Sequence, residues 1–174
     1  DLRTTAELVT RNLRRAGYWG AATSGVLPTG TTPLPSNPYV AVDPAAAPSG
    51  GVNFRYSRDA NENNIVDSNE QFGFRLRNGT IEMQLGAGNW QAMTDAGSVR
   101  VTGFDVTPRI EEIDLAAYCS KPCPAGSPSC PPRLQVRSLA LSLSGEAVSD
   151  ARVTRSIRSH VRLRNDAIIG ACPV

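Results

Sequence analysis

One segment constrains the fold of this chain more than any other, because it encodes both strands and the turn of a β-hairpin. Between residues 72 and 85, two runs of alternating apolar and polar side chains flank Asn78-Gly79. Asn-Gly is the preferred pair for a two-residue type I′ turn. With this turn, each apolar residue faces an apolar partner: Leu76 faces Ile81, Phe74 faces Met83 and Phe72 faces Leu85. The segment therefore predicts an antiparallel hairpin with a fixed register.

Weaker alternation predicts further strands over 52–56, 99–106, 134–143 and 157–164, with a bulge near Gly103. Ahead of them, apolar residues recur every three or four positions as one helical stripe, at Leu2, Ala6, Val9, Leu13 and Ala16. Gly17 and Gly20 are expected to end this helix near Tyr18–Trp19. The pattern predicts an α+β fold in which an amphipathic helix packs on an antiparallel sheet of about five or six strands.

The expected organisation is one domain over residues 1–174. Residues 1–19 form the helical segment, 20–51 a long loop rich in Gly and Pro, and 52–174 the sheet. A second, Cys-rich loop lies within that sheet region at 119–132. A helical segment of this length has no core of its own, so the 20–51 segment is interpreted as a loop and not as a linker between domains.

Composition excludes several classes of protein. The chain is 40% hydrophobic with a net charge of +2, which is typical neither of a disordered chain nor of a dedicated nucleic-acid binder. No run approaches the roughly 18 apolar residues of a membrane helix. His160 is the only histidine, and no nucleophile, zinc-protease or phosphate-loop motif is present, so we do not expect an enzyme or a small-molecule substrate.

Four cysteines occur, at Cys119, Cys123, Cys130 and Cys172. Their spacing lacks the close C-x2-C pair that is common in zinc sites. Because the first three lie in a proline-broken loop, two disulfides are the favoured interpretation over metal ligation or free thiols, with the pairing left open among three connectivities. Disulfides indicate an oxidising compartment such as the periplasm or the cell surface.

The polar run from Asp59 to Glu70 matches a twelve-residue calcium loop. Its ligand positions are Asp59, Asn61, Asn63, Ile65 through its carbonyl, Asp67 and Glu70. Asn64 stands where such loops usually have Gly, and Asn also visits the left-handed conformation. The flanks are strands, so this is a loop site and not a helical hand. The alternative is a solvated Asn/Asp turn, and calcium is the one cofactor that we consider.

Arginines alternate along the last predicted strand, at Arg158, Arg162 and Arg164, with His160 between them. Such a ladder could bind the phosphates of a nucleic acid. The favoured alternative is a solvent face, or ion pairs with neighbouring subunits or with Glu111, Glu112 and Asp114. No aromatic residue interleaves the arginines, so we do not expect nucleic-acid binding.

Three short motifs resemble minor type IV pilins of the PilW type. The stretch from Arg11 to Gly20 is similar to the end of the long N-terminal helix in that family, in which Arg14, Ala16, Gly17, Tyr18 and Gly20 match a recurring pattern. The segment from Arg58 to Leu85 resembles its Asp/Asn-rich turn and hairpin, and Val161–Asn165 resembles its last long strand. The resemblance implies a pilin-like fold whose apolar membrane helix, methylated after processing, would precede Asp1.

The function that the resemblance implies is structural. Such a subunit joins other minor pilins, the major pilin and a tip adhesin, primes fibre assembly and remains at the tip, in support of adhesion and twitching motility. Its location would be the inner membrane and periplasm of a Gram-negative bacterium, and then the surface pilus. Two alternatives stay open: a GspJ-type minor pseudopilin of a type II secretion system, and a pilin that binds DNA or a surface.

Overall fold

The computed structural model describes residues 1–25, 36–45 and 50–173, and within them one α-helix precedes nine strands. The helix is α1 (Leu2–Leu13). The strands are β1 (Val42–Ala45), β2 (Gly51–Arg55), β3 (Gln71–Arg77), β4 (Thr80–Leu85), β5 (Trp90–Ala92), β6 (Val99–Asp114), β7 (Arg133–Ala147), β8 (Asp150–Arg162) and β9 (Ala167–Ile169). No helix among these residues has the length and apolar character needed to span a membrane.

The apolar stripe of α1 is buried, as the sequence predicts. All five stripe residues lie in the core, and α1 packs on β7 and β8. The helix is shorter than expected, since it ends at Leu13 and not near Trp19. The amides of Arg15 and Ala16 bond to carbonyls three residues back, which tightens the last turn, and Gly17 then takes φ +76° and reverses the chain.

The predicted hairpin is confirmed, and its strands pair in the predicted register. In the β3–β4 pair, Leu76 lies opposite Ile81, with the other two predicted pairs in the same register. Asn78 and Gly79 both have positive φ, at 51° and 76°, which is the signature of a type I′ turn. The hairpin is the centre of a five-stranded antiparallel sheet with the order β1-β2-β3-β4-β5.

A second sheet is built on two long strands. β6 pairs with β7 over almost its whole length, with the predicted bulge between Val101 and Gly103. β8 pairs with one part of the other edge of β7, and β9 pairs with the part next to Arg133. The expectation of a single sheet of five or six strands is therefore wrong: the chain divides its strands between two sheets.

Three short strands are absent from the sequence prediction. β1 lies inside the 20–51 segment that was expected to be a loop, whereas residues 26–35 and 46–49 of that segment lie outside the described residues. β1 contains Pro44, which an edge strand tolerates because one side of its backbone has no partner strand. β5 and β9 are three residues each, too short to show alternation.

The helix and both sheets share one hydrophobic core. Its aromatic part comes from the first sheet, where the rings of Tyr56 and Phe72 stack with centroids 4.0 Å apart. The Arg15 guanidinium lies 4.2 Å from the centroid of the Tyr56 ring on the side of α1. Between the sheets, the Val101 amide donates to the Gly79 carbonyl at 2.8 Å, so the hairpin turn contacts β6.

Gly17 joins the end of the helix to the first sheet and to two residues outside the strands. Its amide donates to the Arg55 carbonyl at the end of β2, at 2.9 Å. Its carbonyl accepts from the side-chain amides of Asn37, at 2.9 Å, and Asn165, at 3.1 Å. A left-handed glycine thus presents both of its backbone groups to three distant parts of the chain.

We predict that Gly17→Ala lowers the free energy of unfolding by about 1–2 kcal/mol, because an L side chain is strained at this φ. The space around the new Cβ is adequate, since its nearest neighbour lies at 3.5 Å, so the loss measures the backbone conformation. Urea unfolding would measure it. The matched control is Gly97→Ala, in a turn where φ is not left-handed. Equal stabilities of the two variants would contradict the prediction.

Candidate functional site

The loop over 59–70 connects β2 to β3 and is held against the chain that follows α1. The Trp19 indole N–H donates to the Asn64 side-chain oxygen at 2.8 Å, and the Gly20 amide donates to Glu62 at 3.0 Å. The Ser57 amide donates to the Tyr18 carbonyl at 2.9 Å. Asn64 has φ +60°, the left-handed conformation that this position of a calcium loop requires.

Glu70 is fully buried at the end of the loop, with 0% of its surface exposed. One carboxylate oxygen accepts from the Arg58 amide at 2.6 Å. The other accepts from the Asp67 amide at 3.0 Å and lies 3.2 Å from the Tyr39 hydroxyl. Backbone donors from both ends of the loop therefore converge on one buried carboxylate, which fixes the path of the loop.

The Tyr39 hydroxyl lies within hydrogen-bonding distance of three acceptors: Glu62 at 2.9 Å, the Ile65 carbonyl at 3.2 Å and Glu70 at 3.2 Å. A hydroxyl has one proton, so it can satisfy one of them at a time. Burial, followed by the hydrogen bond to Glu62, raises the pKa of Tyr39 well above its ordinary value. This part of the loop is consequently rich in acceptor oxygens.

Glu62 is a part of the site that the sequence pattern did not include. Burial opposes its charged form, but hydrogen bonds from the Ser57 hydroxyl, the Asn64 amide and the Tyr39 hydroxyl outweigh this and lower its pKa. Glu62 falls between the ligand positions of a calcium loop, so the spacing pattern of such loops does not include it. The available signal was its place in a run of four consecutive polar residues, 61–64.

Three of the six predicted calcium ligands come together. One carboxylate oxygen from each of Asp59, Asp67 and Glu70 lies within 4.8 Å of the other two. The Asn63 side chain is used locally, because its oxygen accepts from the Ile65 amide and its nitrogen donates to Asp67. Asn61 is exposed, and the Ile65 carbonyl lies near Tyr39.

Ion pairs with arginine would neutralise the negative charge of this cluster of three carboxylates. Within the described residues, no arginine forms an ion pair with any of its three carboxylates. Closely spaced carboxylates repel each other, and a hard divalent cation would relieve that repulsion. Calcium binding stays a prediction.

The cysteines form two disulfides, as predicted. Cys119 is joined to Cys172 across 53 residues, and Cys123 to Cys130 across 7. The longer bridge holds the C-terminal segment against the Cys-rich loop, where the Ala171 amide also donates to the Ser129 carbonyl at 2.8 Å. In the chain-entropy description, closing the longer loop is worth about 4 kcal/mol and the shorter about 2 kcal/mol.

The predicted arginine ladder lies partly on β8 and partly beyond its end. Arg158 and Arg162 lie exposed on β8, but the strand ends at Arg162, so Arg164 lies beyond it. Arg162 pairs with Asp166 at 2.6 Å and not with the acidic residues of β6. Of those residues, Glu112 pairs instead with Arg133 at 3.4 Å. The arginines of this face are thus exposed and partly paired, and the expectation that they do not bind a nucleic acid stays a prediction.

Comparison with known proteins gives one family. A family model described as prepilin peptidase-dependent protein B matches residues 1–163, which span α1 through β8. The chain belongs to the prepilin peptidase-dependent protein B family. No curated protein and no solved structure matches it.

Membership of this family identifies a pilus-related protein of the cell envelope. This confirms the coarser part of the resemblance seen in the sequence. The two disulfides agree with an oxidising location. The three segments that carry the resemblance also meet in the fold of this family member, since Trp19 contacts Asn64 and Asn165 contacts Gly17.

We predict that Glu70→Gln destabilises the fold by about 1–3 kcal/mol. The amide keeps the shape of the carboxylate, but whichever way it is oriented, its NH2 group faces either the Arg58 or the Asp67 backbone N–H. Thermal unfolding would measure the loss. Glu111→Gln, on an exposed part of β6, is the control. Melting temperatures lowered equally in both variants would exclude this role for Glu70.

For calcium, we predict a dissociation constant in the range of about 0.1–1 mM, which is the range of weak calcium-binding modules. Isothermal titration of the chelated protein should detect heat, and the melting temperature should rise with calcium. Asp67→Asn should weaken both signals, whereas Asp105→Asn on β6 should leave them unchanged. Absence of heat and of any thermal shift at millimolar calcium would end the hypothesis.

Proposed function

We propose that this chain is the folded head of a PilW-type minor pilin. It joins other minor pilins in a complex that primes assembly of a type IV pilus, and it stays at the pilus tip. Its role is structural: the subunit acts through its shape and its surfaces and catalyses no reaction. The observation that carries the proposal is the family match over residues 1–163.

The packing of α1 supports this role. The helix buries one face on the second sheet and leaves the side that carries Arg3, Arg11 and Arg14 exposed. A subunit that assembles laterally needs such a helix, one face of which is fixed to its own head while the other is available to neighbours. The rigid link at Gly17 sets the angle between this helix and the first sheet, which a defined packing geometry requires.

The disulfides support a surface location. They hold the distal end of the β6–β7 ribbon and the C-terminal segment together without a large local core, since Ile110, Ile113 and Tyr118 are exposed there. A fibre tip outside the cell is oxidising and mechanically stressed, and covalent links suit both conditions. A tip adhesin or the next subunit could contact this exposed apolar end.

The test is co-purification with the minor pilins encoded beside this chain. We expect a stable complex with at least one of them by size-exclusion chromatography, and an unfolded, reduced sample should not form it. A chain that remains monomeric with all of them would contradict the proposal. A complex with components of a type II secretion system instead would favour the GspJ-type alternative.

A further inference from the structure

A groove runs between α1 and β8. Its volume is about 470 Å³, and Ala6 and Ile157 contribute apolar surface to it. Four arginines also line it: Arg3, Arg11, Arg14 and Arg158. The groove thus combines apolar contact area with a cationic rim.

The cationic surface continues past the end of the helix. A second groove of about 460 Å³ shares Arg11 and Arg14 with the first and adds Arg15 and Arg164. The described residues that line the two grooves include six arginines and a single carboxylate, Glu7. Glu7 is already paired with Arg3 at 3.0 Å.

Most of this positive charge has no internal partner. Within the described residues, Arg11, Arg14, Arg158 and Arg164 form no ion pair, and all four are exposed. Arginines that are close together and unpaired repel one another, so an acidic ligand would gain Coulomb energy without first breaking internal pairs. The net charge of the whole chain is only +2, whereas six arginines and one carboxylate line these two grooves, so this surface is more positive than the chain as a whole.

The groove is bordered by a strand edge. β8 is the last strand on its side of the second sheet, and its outer edge pairs with no other strand of the described residues. An exposed edge offers backbone donors and acceptors that an extended peptide can match. Arginine side chains along such an edge also discourage uncontrolled pairing with neutral or basic strands.

We propose that the α1–β8 groove docks an extended acidic segment of a partner protein. The apolar contact area and the free strand edge favour a polypeptide over a single-stranded nucleic acid, whose binding usually uses several stacking aromatics. Tyr18 is the one aromatic residue among the described residues that line these grooves. The inference rests on the proposed function in one respect, namely that the partner is a neighbouring pilus subunit. The groove chemistry itself can be tested without that partner.

The first test uses a fluorescein-labelled peptide of about ten alternating Glu and Thr residues, with a Gln/Thr peptide as the neutral control. We expect the Glu peptide to bind by fluorescence anisotropy, with affinity that falls as salt rises. Arg11→Glu combined with Arg158→Glu should weaken binding by at least about tenfold, whereas Arg77→Glu with Arg109→Glu, on other surfaces, should have little effect. Melting curves verify that each variant is folded.

Three outcomes would overturn the proposal: equal binding of the Gln peptide, unchanged binding in the groove variant, or tighter binding of an oligothymidylate of the same charge, which would indicate a nucleic-acid surface. In the minor-pilin complex, loss of assembly in the groove variant alone supports the proposal. If the groove variant assembles as well as the unaltered chain, the groove is not the contact site and the proposal is overturned. The proposed function is then unaffected. If the unaltered chain forms no complex, the proposed function fails. The peptide experiment still decides whether the groove binds an acidic segment.

Discussion

The structure depends on the left-handed turn at Gly17, where the end of the helix is bonded to the first sheet and to two distant loops. A helix that packs only through an apolar stripe can slide along its axis or rotate about it at a small cost in free energy. The backbone groups of Gly17 remove that freedom, since they bond to Arg55 at the end of β2 and to Asn37 and Asn165. The neighbouring residues Trp19 and Gly20 then position the 59–70 loop.

The 59–70 loop shows how a polar segment can be ordered without a core of its own. A buried carboxylate replaces an apolar anchor, and backbone amides from either end of the loop bond to it. This arrangement costs desolvation, which the hydrogen bonds offset only when all of them form together. The acceptor oxygens that order the loop are also the ligand type that a hard divalent cation prefers.

The features that are encoded by neighbouring residues could be predicted from the sequence. The β3–β4 hairpin was predictable because its turn chemistry and its alternation agree, and the stripe of α1 because its period is clear. The division into two sheets was not, since it depends on which strands meet across long separations. β1 contains a proline and β5 and β9 are very short, so none has a pattern of its own. The disulfide pairing and the role of Glu62 likewise depend on contacts between residues distant in the sequence.

We propose that this chain is a subunit from which a pilus is built. The most direct test of this proposal is the number of surface pili, counted by electron microscopy, in a strain that lacks this protein and cannot retract its fibres. We expect surface pili to become scarce in this strain, and we expect the intact chain to restore them. Normal piliation, together with a defect in protein secretion, would contradict the proposal that this chain is a pilus subunit.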